Sequence, residues 1–158
     1  LPEHPKALGA AVEAIHSADM IVLAPGSLYT SIIPNFLVDG ISEAIRSSGA
    51  VREYILNIMT QDGETDGYTG EDHVRALLEH AGGDVIDVCI ANNAPVPEKW
   101  LAPYRQEGVG PIEVDRAGIE ALGVAVREFP LCRPGRYIRH DADALSRAIL
   151  SVWREFEA

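Results

Sequence analysis

The residues best suited to chemistry are the glycine and hydroxyls of Pro25-Gly26-Ser27-Leu28-Tyr29-Thr30-Ser31, which follow an apolar run at 20–24. Gly26 lets a ligand approach the backbone, and Ser27, Thr30 and Ser31 offer hydroxyl and N–H donors near the positive end of a helix dipole, an arrangement that holds phosphate. The stretch is neither a P-loop, since no lysine follows, nor a Gly-x-Gly-x-x-Gly fingerprint. A phosphate cradle and an ordinary capped strand-to-helix turn therefore both stand as readings.

Asp62-Gly63-Glu64-Thr65-Asp66-Gly67 imitates the start of a calcium loop, with acids at the first, third and fifth places and glycine at the sixth. The twelfth place, which needs a bidentate glutamate, is His73, so an EF-hand is not expected. No metal site is assigned. One or two of Asp62, Glu64 and Asp66 could hold magnesium together with a substrate phosphate, and a hydrated loop is the plainer alternative. Ser27 could be a nucleophile with His73 or His140 as base, but the glycine two residues after the serine in a nucleophile elbow is missing. His73 and His80 lack a third ligand in reach, which leaves zinc unsupported. The amides of Asn57, Asn92 and Asn93 suit a base or sugar, although Asn92-Asn93 also reads as a turn. Arg133, Arg136, Arg139 and His140, interleaved with Tyr137, form the one basic concentration; it is too short for a duplex footprint and fits either a small anion or surface ion pairs.

These residues must be positioned by alternating helices and strands. The pattern predicts helices at 5–16, 69–80, 97–106, 116–122 and 143–156, and strands at 20–24, 51–59, 85–91, 111–115 and 124–129. Residues 32–46 read as a helix broken by Pro34 and by Asp39-Gly40. The uninterrupted apolar run at 20–24 predicts a strand covered on both faces, and the mixed run at 51–59 one with an exposed start at Arg52 and Glu53. Asp141 or Asp143 should cap the last helix. The alternation predicts one α/β domain over residues 1–158, a mostly parallel sheet with helices on both faces, and ligands bind outside the C-terminal strand ends of such sheets. Three polar loops, at 26–31, 57–66 and 92–94, fall at that edge.

A length of 158 residues fits one self-sufficient core, and no apolar window approaches a membrane span. Thirteen basic against 24 acidic residues give a net charge of −11, which argues against nucleic acid as a partner. Cys89 and Cys132 have no metal-site spacing and read as buried thiols of a cytoplasmic protein. The chain opens at Leu1 without an initiator methionine and reads as a fragment or processed product.

The motifs Ala-Pro-Gly-Ser-Leu-Tyr-Thr-Ser-Ile-Ile-Pro-Asn (24–35), Asn-Ile-Met-Thr-Gln-Asp-Gly-Glu-Thr-Asp-Gly-Tyr-Thr (57–69) and Arg-Tyr-Ile-Arg-His-Asp (136–141) resemble the gluconeogenesis-factor (YvcK-like) branch of the family that contains the phospholactate transferase CofD. That branch begins with a Gly-Gly-Gly-Thr-Gly turn absent here, so the chain resembles its C-terminal half. The resemblance implies a three-layer Rossmann-like fold and a cytoplasmic bacterial protein that binds a UDP-sugar such as UDP-N-acetylglucosamine and affects cell shape and wall synthesis during gluconeogenic growth. The alternative it implies is a CofD-type transfer of phospholactate to a deazaflavin precursor, with magnesium. By position, Gly26, Ser27, Thr30 and Ser31 would face phosphate, Asn57 would line the cleft, and Tyr104 and Arg139 would contact the uridine sugar with Asn92 and Asn93 nearby. Homo-oligomer formation and contact with wall-synthesis proteins are the macromolecular partner expectations; nucleic acid and membrane are not expected.

Overall fold

The computed structural model describes residues 4–105, 108–133, 135 and 137–157, without the side chains of Pro103 and Arg105. Met20–Leu23 (β1), Val51–Ile55 (β2), Val88–Asn92 (β3) and Ala125–Phe129 (β4) form one sheet in the order β1-β2-β3-β4, every neighbouring pair parallel. The register aligns two rows of side chains. Leu23, Tyr54, Cys89 and Val126 line up across one face, and Val22, Glu53, Val88 and Ala125 across the other.

The first row packs under Gly9–His16 (α1), Ile33–Phe36 (α2), Ile41–Ser47 (α3), Gly70–Ala81 (α4) and Arg116–Ala121 (α6), with Ile32, Phe36, Ile45, Val74, Leu77 and Ile119 in the same core. The second row lies under the C-terminal helix Ala142–Glu157 (α7), whose Leu145, Ala148, Ile149 and Val152 recur at the spacing of one helical face and meet Ile55, Val88, Ile90 and Leu131. Helices on both faces of a parallel sheet make the three-layer Rossmann-like α/β architecture. The remaining pieces, Glu98–Arg105 (α5) and a small antiparallel ribbon of Cys132–Arg133 (β5) with Arg139–His140 (β6), sit over the strand ends.

Local chemistry explains where several elements stop. Thr69 and Asp72 close a capping box at the start of α4, and Gly82, at φ 71°, ends it in the left-handed conformation. The first turn of α4 lies against residues 112–114: the Gly70 N–H donates to the Glu113 carbonyl at 2.7 Å, and a Cβ on Gly70 would stand 2.4 Å from the Val114 carbonyl oxygen. Asp141, rather than Asp143, caps α7 by accepting the Ala144 N–H at 2.9 Å.

Several sequence-based expectations are corrected. The first helix begins at Gly9, not residue 5, because the backbone of 5–7 runs extended beside Asp39, with Ala7 N donating to Asp39 O and Asp39 N to Pro5 O. Strand β1 is an edge strand with only Leu23 buried, so its apolar run is not covered on both faces. Residues 111–115 form no strand; Pro111 makes an isolated bridge with Met59, and Ile112 N donates to Ile58 O. The segment 28–32 begins as a π-helix, in which Ile32 N donates to Ser27 O across five residues. Of the two cysteines, both free, Cys89 is buried and Cys132 only partly so.

Glu53 departs furthest from expectation. It is 0% exposed and neither carboxyl oxygen has a hydrogen-bond partner, because β2 is an interior strand and its second face is closed by α7. Arg52, one residue earlier, reaches the strand's end and pairs with Asp87. Burial pushes the Glu53 carboxyl up to about 7. Below the unfolded value of about 4.3 both states hold the proton and nothing is lost. As pH rises from there to about 7 the unfolded chain has lost a proton that the fold retains, so stability falls across this window and the cost stays constant above it. Glu53→Gln is expected to stabilise the fold at pH 8 by on the order of 2 kcal/mol and to leave it little changed at pH 4. Urea unfolding at both pH values checks this; an equal effect at both would show that ionisation is not the cause.

Candidate functional site

Because all four strands of the sheet are parallel, the loops after β1, β2 and β3 emerge at one edge. Side-chain hydrogen bonds tie them together. Asn57 Nδ2 donates to the Gly26 carbonyl at 2.8 Å, and Gln61 Nε2 donates to Ser27 Oγ at 3.0 Å. Helix α5 and the β5–β6 ribbon close over the edge through a small apolar cluster of Ile58, Met59, Leu101, Val109 and Ile138. Tyr104 OH accepts the Ile138 N–H at 2.7 Å, and the His140 imidazole donates from Nε2 to the Leu56 carbonyl at 3.2 Å. Burial holds the His140 imidazole below its usual value, which favours this neutral donor form.

The result is a cavity of about 540 Å³ at the strand ends, whose wall includes Gly26, Ser27, Asn57, Gln61, Tyr104, Arg139 and His140. Of the residues singled out from sequence, Gly26, Ser27, Asn57, Tyr104 and Arg139 are thus brought together. Thr30 is not among them; it lies with Tyr29, Asp62 and Glu64 in an adjoining cavity of about 470 Å³ that shares Ser27 and Gln61. Ser31 is exposed and borders an apolar groove beside Ile32, Phe36 and Ile45 that shares Pro25 and Gly26 with the main cavity, its backbone N–H held by Ser27 O. Asn92 and Asn93 line a small cavity of about 170 Å³ that shares Asn57 and Ile58 with the main one. Arg136 lies outside the described residues.

The turn reading of Asn92 prevails. Its Oδ1 accepts the Leu131 N–H at 2.9 Å and the Ala94 N–H at 3.2 Å, while Nδ2 donates to Ala94 O at 2.7 Å, so the amide is spent on fixing the chain. Asn93 is exposed, with its N–H on Phe129 O. Sequence reasoning missed Gln61, which sits inside the 57–69 motif but as an uncharged side chain carries no signal of its own. It also missed the ribbon, whose strands are two residues each.

Charge is unevenly distributed around the site. The Tyr29 N–H at the start of the π-helix is taken by Glu64 Oε1 at 3.1 Å, so a carboxylate already occupies a donor that a phosphate would use. Asp66 Oδ2 accepts the Gly63 N–H at 2.8 Å and closes its own loop. Among the described residues no three His, Cys, Asp or Glu side chains converge as a metal site. The main cavity, by contrast, carries a cation in its wall. Arg139 is exposed, its guanidinium lies 5.9 Å from the Tyr137 ring centre, and it has no carboxylate partner among the described residues. Arg52, Arg116 and Arg127, by contrast, are paired with Asp87, with Glu120 and Glu128, and with Glu155. Ser27 Oγ is bonded by an amide rather than an imidazole, and His73 is fully buried with Nδ1 on Thr69 O. The arrangement brings an exposed guanidinium and the polar groups of Asn57, Ser27 and Gln61 to the wall of one cavity.

These features define a three-layer parallel α/β protein with a polar, partly cationic cleft at the carboxyl ends of its strands. The family model for 2-phospho-L-lactate transferase CofD matches residues 1–132, and the chain belongs to that family. It is 43% identical over 150 residues to a gluconeogenesis factor of Halalkalibacterium halodurans, covering 94% of this chain and 47% of the relative. It is 37% identical over 155 residues to the gluconeogenesis factor of Bacillus subtilis, covering 98% and 49%. A crystal structure of a UPF0052-family protein from Bacillus halodurans superimposes with a TM-score of 0.91 at 43% identity, over 95% of this chain and 48% of that one. The chain therefore spans about half the length of these relatives. No helix among the described residues is long and apolar enough to cross a membrane.

Asn92→Ala should lower unfolding stability by about 1–3 kcal/mol, because it orphans the Leu131 and Ala94 N–H groups. A denaturant midpoint unmoved by the substitution would return Asn92 to the list of ligand contacts.

Proposed function

We propose that this chain supplies the strand-end half of a site for a nucleoside-diphosphate sugar, a UDP-sugar such as UDP-N-acetylglucosamine, in a regulatory protein linked to gluconeogenic growth, cell shape and wall synthesis. The observation that carries the reading is the cavity that gathers Gly26, Ser27, Asn57, Tyr104 and Arg139, which has no carboxylate partner among the described residues. A guanidinium grips diphosphate oxygens bidentately, and the amides of Asn57 and Gln61 suit hydroxyl-rich sugars. The link to gluconeogenesis is supported by relatives that carry the name gluconeogenesis factor over nearly the whole of this chain. Phosphate belongs toward Arg139 rather than Thr30, since Thr30 shares its cavity with Asp62 and Glu64.

The alternative, a CofD-type phospholactyl transferase using magnesium, is supported by the family match over residues 1–132. In this chain Asp62 would be the carboxylate left for such a metal, because Glu64 and Asp66 hold backbone N–H groups. Mass-spectrometric detection of a phospholactyl-deazaflavin product would decide for this alternative.

Calorimetry of the full-length protein is expected to show UDP-N-acetylglucosamine binding that weakens by about ten- to a hundredfold on Arg139→Ala, the loss of one charge-assisted bidentate contact. Absence of heat with every UDP-sugar tested would overturn the reading.

A further inference from the structure

The β5–β6 ribbon pairs Arg133 directly opposite Arg139. Residues directly opposite each other in a ladder point to the same face, and like charges in such a pair destabilise it. The other pair of this ribbon, Cys132 and His140, faces inward: Cys132 packs against the Ile58–Met59 cluster and His140 bonds Leu56 O. Arg133 and Arg139 therefore share the outward face, and both are exposed. No described carboxylate stands between them. Residues 129–140 contain no acid at all in a chain with 24, and the next one, Asp141, is spent on capping α7. A ribbon two residues long has little stability of its own to set against this repulsion.

We infer that Arg133 and Arg139 form a two-arginine clamp for an anion with two adjacent negative groups, Arg139 at the cavity taking one phosphate and Arg133 taking the second. The inference rests on the nucleoside-diphosphate reading above and adds a residue to it. A monophosphate presents one dianionic group and engages Arg139 alone, whereas a diphosphate spans both guanidiniums. The binding energy of the second phosphate then also offsets the repulsion built into the ribbon.

The test uses the full-length protein and its Arg133→Ala and Arg139→Ala variants, titrated calorimetrically with UMP, UDP and UDP-N-acetylglucosamine, with urea unfolding alongside. The expected result is that Arg133→Ala weakens UDP and UDP-sugar about tenfold or more but UMP less than twofold, while Arg139→Ala weakens all three. The urea midpoint of Arg133→Ala should hold or rise, because a like-charge pair is removed. Unchanged UDP affinity in Arg133→Ala, or an equal loss for UMP and UDP, overturns the clamp. If the unaltered protein binds no uridine nucleotide, the functional reading fails by itself, and inorganic pyrophosphate becomes the probe. Pyrophosphate binding that is lost in Arg133→Ala supports the clamp independently, and no pyrophosphate binding, or binding indifferent to Arg133, overturns it.

Discussion

The strand-end site depends on the hydrogen bond from the Asn57 amide to the Gly26 carbonyl, which joins the loop after β1 to the loop after β2. Parallel pairing brings the two loops to the same edge, but pairing ends at Leu23 and Ile55, and beyond those residues nothing in the ladder fixes one loop against the other. Asn57 makes that connection across 31 residues of sequence, and Gln61 to Ser27 repeats it one turn further out. With Gly26 and Ser27 held in this way, the wall contributed by Tyr104, Ile138 and His140 has a fixed surface to close against.

Much of this could be read from local patterns. Helix α4 was legible from the acids Glu71 and Asp72 in its first turn and from the glycines at 82–83 that stop it, because such end signals are settled within a few residues. That Gly26, Ser27, Asn57 and Arg139 line one cavity was legible from the strand-end rule taken together with the family resemblance. What escaped was set by position in the sheet. The run at 20–24 looks fully buried, but edge or centre is decided by partners that local sequence does not name. Glu53 looks like a solvent-facing charge until the register sets it between Val22 and Val88 beneath α7. Thr30 and Ser31 looked equivalent to Ser27, and the π-helical turn sends Thr30 toward an acidic cavity and Ser31 toward an apolar groove. The Asn92 amide could have served a ligand or a turn, and only the non-local Leu131 N–H shows which.

Electrostatically the site is asymmetric in a chain of net charge −11. Glu64 takes the Tyr29 N–H at the π-helix start, where a bound anion would sit, and the acid-free ribbon carries Arg133 and Arg139. The local field therefore differs between the loop at 62–66 and the ribbon, a difference that overall net charge conceals.

The two borders of the sheet are unlike. The β4 border carries Arg127 and Glu128, engaged with Glu155 and Arg116, whereas β1 ends the sheet with Met20-Ile21-Val22-Leu23 and no charge, proline or bulge. A flat apolar edge with unpaired backbone donors and acceptors is a template for adding strands. Association through that rim is the hazard such an edge carries, and a lysine introduced at the outer rim of β1 would be the natural gatekeeper.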